Sequence, residues 1–120
     1  MSPKRKERAA PPADHARGHW EIRFGNTASA SGWEELCRQA AGNLSRAWEL
    51  LRTDPVRTAQ TGRHHRLKGS LSSAPFEGRQ LPQWQIEVTG AARIWYLIDE
   101  ERKTVWIQHA GTGHPKATER

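Results

Sequence analysis

From His19 onward the apolar and polar residues fall into segments of two different periods. Trp20, Ile22 and Phe24 alternate with Glu21 and Arg23, the period of a half-buried strand, and Gly25-Asn26 ends it. Trp33, Leu36, Cys37, Ala40, Leu44, Ala47, Trp48 and Leu51 then recur at helical spacing and form one apolar stripe. Ser31 with Glu34 reads as a capping box, in which each side chain satisfies an orphan backbone donor at a helix start. Gly42-Asn43 interrupts the stripe. The pattern therefore predicts two short helices, over 32–41 and 43–53, the second stopped by Asp54-Pro55. A short strand is expected over 65–71, and residues 72–82, with Pro75, Gly78 and Pro82, read as a loop.

The last third predicts a three-stranded meander. Trp84, Ile86 and Val88 alternate with Gln85, Glu87 and Thr89; residues 91–99 are apolar on both faces except at Arg93; a charged turn, Glu100 to Lys103, leads into a strand over 104–110. The first turn can be settled by pattern. A two-residue loop at Gly90-Ala91 would place Arg93 on the face of Trp84, Ile86 and Val88. A three-residue loop, Thr89-Gly90-Ala91, pairs Val88 with Ala92 and Glu87 with Arg93. It gathers Trp84, Ile86, Val88, Ala92, Ile94, Tyr96 and Ile98 on one face. Burial favours the second register, which leaves Gln85, Glu87, Arg93 and Trp95 on the opposite face.

Composition adds to this picture in three ways. The 120 residues suit one α+β domain, with a formal net charge of +6 that favours nucleic acid or acidic proteins as partners. Residues 1–18 hold no large apolar residue after Met1 and carry Pro3, Pro11 and Pro12. A disordered basic tail is expected there, before an ordered domain over 19–120. The single Cys37 excludes an internal disulfide and, from its place in the helical stripe, is expected to be a buried thiol. No apolar run nears the roughly 18 residues of a membrane span, and the N-terminus lacks a signal-peptide core, so a cytoplasmic location is expected. The histidines and Cys37 show no metal-ligand spacing, and GTGHPKAT lacks Walker spacing; neither a metal nor a cofactor is implied.

The basic strand Arg66-Leu67-Lys68-Gly69, then WQIEVTGAARIWYLID (84–99), then AGTGHPK (110–116) give, in this order, a pattern that resembles the RelE/ParE superfamily of bacterial toxins. The resemblance covers residues 19–119. It implies a RelE-like fold: an N-terminal strand, a two-helix hairpin, and a twisted, mostly antiparallel sheet ending in the three-stranded meander. In the RelE branch it implies a metal-independent endoribonuclease that cuts messenger RNA, usually on the ribosome, and a cognate antitoxin that suppresses it. The ParE branch instead poisons DNA gyrase. Lys68 matches the lysine of the basic strand and Arg93 an arginine after the hairpin glycine. Gln85 stands where several active members have arginine, Pro115 where an arginine is common after Gly-His, and Glu119 where a late tyrosine is frequent.

Cleavage by the 2′-hydroxyl needs a proton acceptor, cations at the phosphorus and an acid for the leaving oxygen, each proton transfer contributing about 10²–10⁴-fold in rate. Arg93 suits the phosphate clamp, because guanidinium meets phosphate oxygens in a planar fork; a structural pair with Glu87 is the other reading of it. Lys68, with Arg66, supplies further cationic charge. Glu87 is the candidate base, with Arg93 beside it lowering its basicity. His114 is the candidate acid, since imidazole titrates near neutral pH. Arg63, His64, Arg66, Gln85, Trp95 and Lys116 complete the expected RNA surface. Trp95 and Trp106 are the two tryptophans placed to stack on a base, while the other four match core positions.

Overall fold

The computed structural model of the chain describes residues 5–9 and 11–112. Its C-terminal meander forms the middle of a six-stranded, mostly antiparallel sheet, and two helices cover one face: an α+β fold. The elements are β1 (Glu21–Phe24), α1 (Thr27–Gln39), α2 (Ala41–Thr53), β2 (His64–Arg66), β3 (Ser73–Phe76), β4 (Arg79–Glu87), β5 (Ala92–Asp99) and β6 (Thr104–Thr112). The strand order is β1-β6-β5-β4-β2, with β3 pairing β4, and β1 runs parallel to β6 while the other pairs are antiparallel. Among the described residues, no helix is long and apolar enough to cross a membrane.

The register of β4 on β5 is the one that burial demands. Glu87 stands opposite Arg93, and Val88 N donates to Ala92 O at 2.9 Å across the Thr89-Gly90-Ala91 turn. All seven residues expected on one face, from Trp84 to Ile98, lie in the main core with Ile22, Phe24, Trp33, Leu36, Leu44, Ala47 and Leu51. On β6 the register against β5 shifts between Trp95 and Tyr96, so that Gln108 is an extra residue. Its carbonyl accepts from Asn26 Nδ2 at 3.0 Å, tying the start of α1 to the sheet.

That contact explains why α1 begins four residues before the expected capping box. Asn26 Oδ1 accepts from Ser29 N at 2.7 Å and Ser29 Oγ donates to Asn26 O at 2.8 Å. Asn is at least as good a cap as Ser, and here it is fixed from the sheet side. The break between the helices falls at Ala40 rather than at Gly42-Asn43. Gly42 and Asn43 lie in the first turn of α2, where backbone N–H groups have no intrahelical acceptor and poor helix formers cost little. At Gly32, helix and sheet meet backbone to backbone: an added Cβ would lie 1.8 Å from Ala110 O. Cys37 is exposed rather than buried, one position off the face that meets the sheet, and burial of its surroundings with Glu34 nearby raises its thiol pKa.

Two segments expected to be irregular are ordered. Residues 5–9, within the expected disordered tail, pair along β1: Lys6 N donates to Phe24 O, Ala9 N to Ile22 O, and Phe24 N to Glu7 O. Ala9 is buried, and Arg8 forms an ion pair with Glu21. A bare strand edge supplies the hydrogen bonds that the leader's composition could not supply by burial.

Likewise 72–82 is a hairpin, not a loop. The turn Glu77-Gly78 has φ of 49° and 82°, as a two-residue turn with both central residues left-handed requires. Pro75 lies on edge strand β3, where no ladder donor is needed. The expected strand over 65–71 shortens to β2, and a 3-10 turn, Gly69–Leu71, separates it from β3. The hairpin brings Phe76 and Leu81 onto Leu97 and Trp106, a second small core on the face away from the helices. Trp106, a candidate for base stacking, packs instead on Phe76, with ring centroids 4.7 Å apart, and donates to buried Asp99 at 3.2 Å.

Candidate nucleic-acid interface

The meander register gathers Glu87, Arg93, Gln85 and Trp95 on the face away from the helices, and β2 adds His65 opposite Gln85. Arg63 joins them just before β2: its carbonyl accepts from Glu87 N at 2.7 Å and its guanidinium lies 3.7 Å from the Glu87 carboxylate. Glu87 is thus ion-paired with Arg63, not with Arg93 as the structural reading of that pair had it. Arg93 is half-buried. Its Nε is shielded from solvent and, among the described residues, has no hydrogen-bond acceptor. Its neighbour on β6 is Gly111, which adds no side chain beside it. A shielded guanidinium N–H without an acceptor is costly, and an anionic oxygen is the partner that best relieves it.

Several expected contacts lie elsewhere. Gln85 and Trp95 are 8% and 5% exposed, and Trp95 Nε1 donates to Gln85 Oε1 at 2.8 Å. They form a buried pair, not a surface for bases. Arg66 is exposed but stands in register with Trp84, on the opposite phase of the sheet from Arg93, and its Nε donates to Ser72 O at 3.0 Å. Lys68 is exposed just beyond the end of β2, where the chain enters the 3-10 turn. His114 and Lys116, with Pro115 and Glu119, lie outside the described residues.

His64, expected to touch RNA, is in the core. The β2 register puts it opposite Ile86, 2% exposed, with its ring edge-on to Trp84 and Tyr96. Tyr96 Oη donates its only proton to Pro55 O at 2.7 Å and lies 2.6 Å from His64 Nε2. Nε2 must therefore carry the imidazole proton, and Nδ1 is left as a bare acceptor, buried and without a partner among the described residues. Burial, then the Arg57 guanidinium and His65, push the His64 pKa down from 6.5 to about 4, so the ring is neutral at pH 7. Burial also raises the Tyr96 phenol.

His64 forms part of the wall of a cleft of about 390 Å³ between α2 and the β2–β4 edge. Arg46, Arg57 and Arg63 line it with Glu87, over an apolar floor that includes Leu50 and Val88. Arg46 lies on a helix and Arg57 in the connection after it. Nothing in their local patterns signals a shared site; only the packing of α2 beside β2 brings them together. No three His, Cys, Asp or Glu side chains converge as a metal site would need, among the described residues. No protein-family model matches the sequence, and no curated protein or solved structure matches it either.

Proposed function

We propose that the chain is the toxin of a toxin–antitoxin pair of the RelE/ParE kind, and that it cleaves messenger RNA at the face carrying Glu87 and Arg93. The observation that carries this reading is the single carboxylate flanked by Arg63 and Arg93, with an unsatisfied Arg93 N–H, on a face the helices leave uncovered. The scissile phosphate would lie against Arg93, and a second oxygen against Arg63 as it leaves Glu87. Glu87, released from that pair, would take the 2′-hydroxyl proton; in-line attack on phosphorus would then expel the 5′-oxygen, protonated by His114. Lys68 follows Leu67, whose N–H donates to Gln83 O, so it stands toward the other end of β4 from Glu87 and adds charge only at long range. The antitoxin would cover Lys68 and Arg93 with an acidic or amphipathic segment, and the ribosome would present the message.

One observation favours a second reading, a toxin that binds a protein target without cleaving RNA. Gln85, at the position where several active members carry arginine, is committed to the Trp95 indole, which leaves one cation fewer at the phosphate. Controlled expression with pulse labelling separates the two. An early halt of protein synthesis with cut messages, relieved by Arg93→Ala and by His114→Ala in folded protein, is the expected result. Arrested replication with translation intact would replace the nuclease by the gyrase-directed reading, and unimpaired growth would remove both.

A further inference from the structure

We infer that the cleft between α2 and the β2–β4 edge is a binding site for a phosphate-bearing ligand of nucleoside-monophosphate size, its phosphate held by Arg46 and Arg57. Three observations carry this. The first is charge. Arg46, Arg57 and Arg63 line one small space with Glu87 as the only carboxylate among the lining residues. Arg57 has Asp54 at 3.3 Å and Arg63 has Glu87 at 3.7 Å, whereas Arg46, among the described residues, meets only the neutral amide oxygen of Asn43. Counting Asp54 and Glu87, the three guanidiniums leave a surplus of one positive charge centred on Arg46, which suits an anionic phosphate held in the planar fork of a guanidinium.

The second is His64. It forms part of the cleft wall, and burial keeps its imidazole uncharged at pH 7, so this side of the cleft offers an uncharged surface beside the arginines. A molecule that carries an uncharged part beside its phosphate matches a cleft with arginines on one side and His64, Leu50 and Val88 on the other. The third is shape. A volume of about 390 Å³ lies within the range of small-molecule clefts, and Leu50 and Val88 offer apolar contact for a base or sugar face. The same chemistry is available from a free nucleotide and from the terminal nucleotide of an RNA strand. Arg46 and Arg57 take no part in the proposed cleavage, so the site stands whether or not the chain is a nuclease.

The test is titration of the intact protein with uridine, cytidine, adenosine and guanosine 5′-monophosphates, followed by calorimetry and by the ¹⁵N resonances of His64. Saturable binding is expected, with the His64 resonances perturbed because the residue lines the cleft, and at least a tenfold loss of affinity in R46A/R57A. Arg46 is exposed and Arg57 only half-buried, so the doubly substituted protein should melt like the wild type; R46A alone, with at least a threefold loss, serves if it does not. Competition by short RNA bearing a terminal phosphate, but not by the same RNA ending in hydroxyls, would assign the site to strand ends. Failure of both RNAs to compete would assign it to free nucleotides. No saturable binding at millimolar nucleotide, or binding indifferent to both substitutions, overturns the inference. Toxicity relieved by Arg93→Ala alongside absent nucleotide binding would leave the cleavage reading intact and remove only this site.

Discussion

Acidification should weaken this fold through His64 in particular. Above pH 6.5 the imidazole is neutral in the folded and the unfolded chain and contributes no pH dependence. Between 6.5 and about 4 the unfolded chain takes up the proton and the folded chain does not, so stability falls as the pH falls. Below that interval both forms are charged and the loss levels off. The whole interval corresponds to about 3 kcal/mol. His64 borders an open cleft, and residual hydration there brings the working figure down to about 2 kcal/mol. That is a large part of the total stability of a domain this size.

Urea unfolding, followed by the fluorescence of the six tryptophans at pH 7.5, 6, 5 and 4.5, measures the effect. The reference is His64→Gln, whose amide still donates toward Tyr96 but takes up no proton. Carboxylates and the other histidines titrate in both proteins, so the difference between them isolates residue 64. The wild type should lose about 2 kcal/mol relative to the Gln variant between pH 7.5 and 4.5. A difference that stays constant with pH, or an imidazole titration that places His64 at its ordinary value, would refute the reasoning.

Other substitutions probe the joints of the fold. Tyr96→Phe removes the donor to Pro55 O and strands the Nε2 proton of His64, at an expected loss of about 2 kcal/mol in the same unfolding assay, with little change in the near-ultraviolet spectrum. Gly32→Ala should gain about 1 kcal/mol of helix propensity and lose more than that, because the new Cβ meets the Ala110 carbonyl, which is backbone and gives little. A variant more stable than the wild type would contradict the close approach. Gly78→Val, at φ 82° in the hairpin turn, should lower the melting temperature by an amount equivalent to about 1–2 kcal/mol. Asn26→Ala should lose about 1 kcal/mol from the helix cap, and Asn26→Ser should recover most of it.

The parts of this structure that sequence made legible are those governed by a single strong term. A one-residue slip at Thr89-Gly90-Ala91 would have moved Ala92, Ile94, Tyr96 and Ile98 off the face of Trp84, Ile86 and Val88 and put Arg93 in their place, so the register of Glu87 and Arg93 followed from pattern alone. The helical stripe was equally plain; its start was not, because the cap at Asn26 depends on a carbonyl at Gln108, far away in sequence. The hairpin over 73–87 was hidden by Pro75, which is harmless on the edge strand β3, by Pro82 in β4, and by a Glu-Gly turn where Asn-Gly is the familiar signal. Missing that hairpin had a consequence for the site. Alternation does not say what covers a face: Trp106, expected to be open to a base, is covered by Phe76 of that hairpin. Arg46 and Arg57 escaped for a different reason: isolated basic residues on a helix and its exit carry no local signature of convergence.

The leader along β1 changes how the protein should be handled. Trimming the chain to begin at His19, where the regular pattern of the domain starts, would strip the partners from Ile22 O, Phe24 N and Phe24 O together. The result would be an adhesive strip on the rim of the sheet, free to recruit the same strip from another molecule. Material prepared that way should self-associate with rising concentration, and the cure would be to restore a few residues of backbone, whatever their charge.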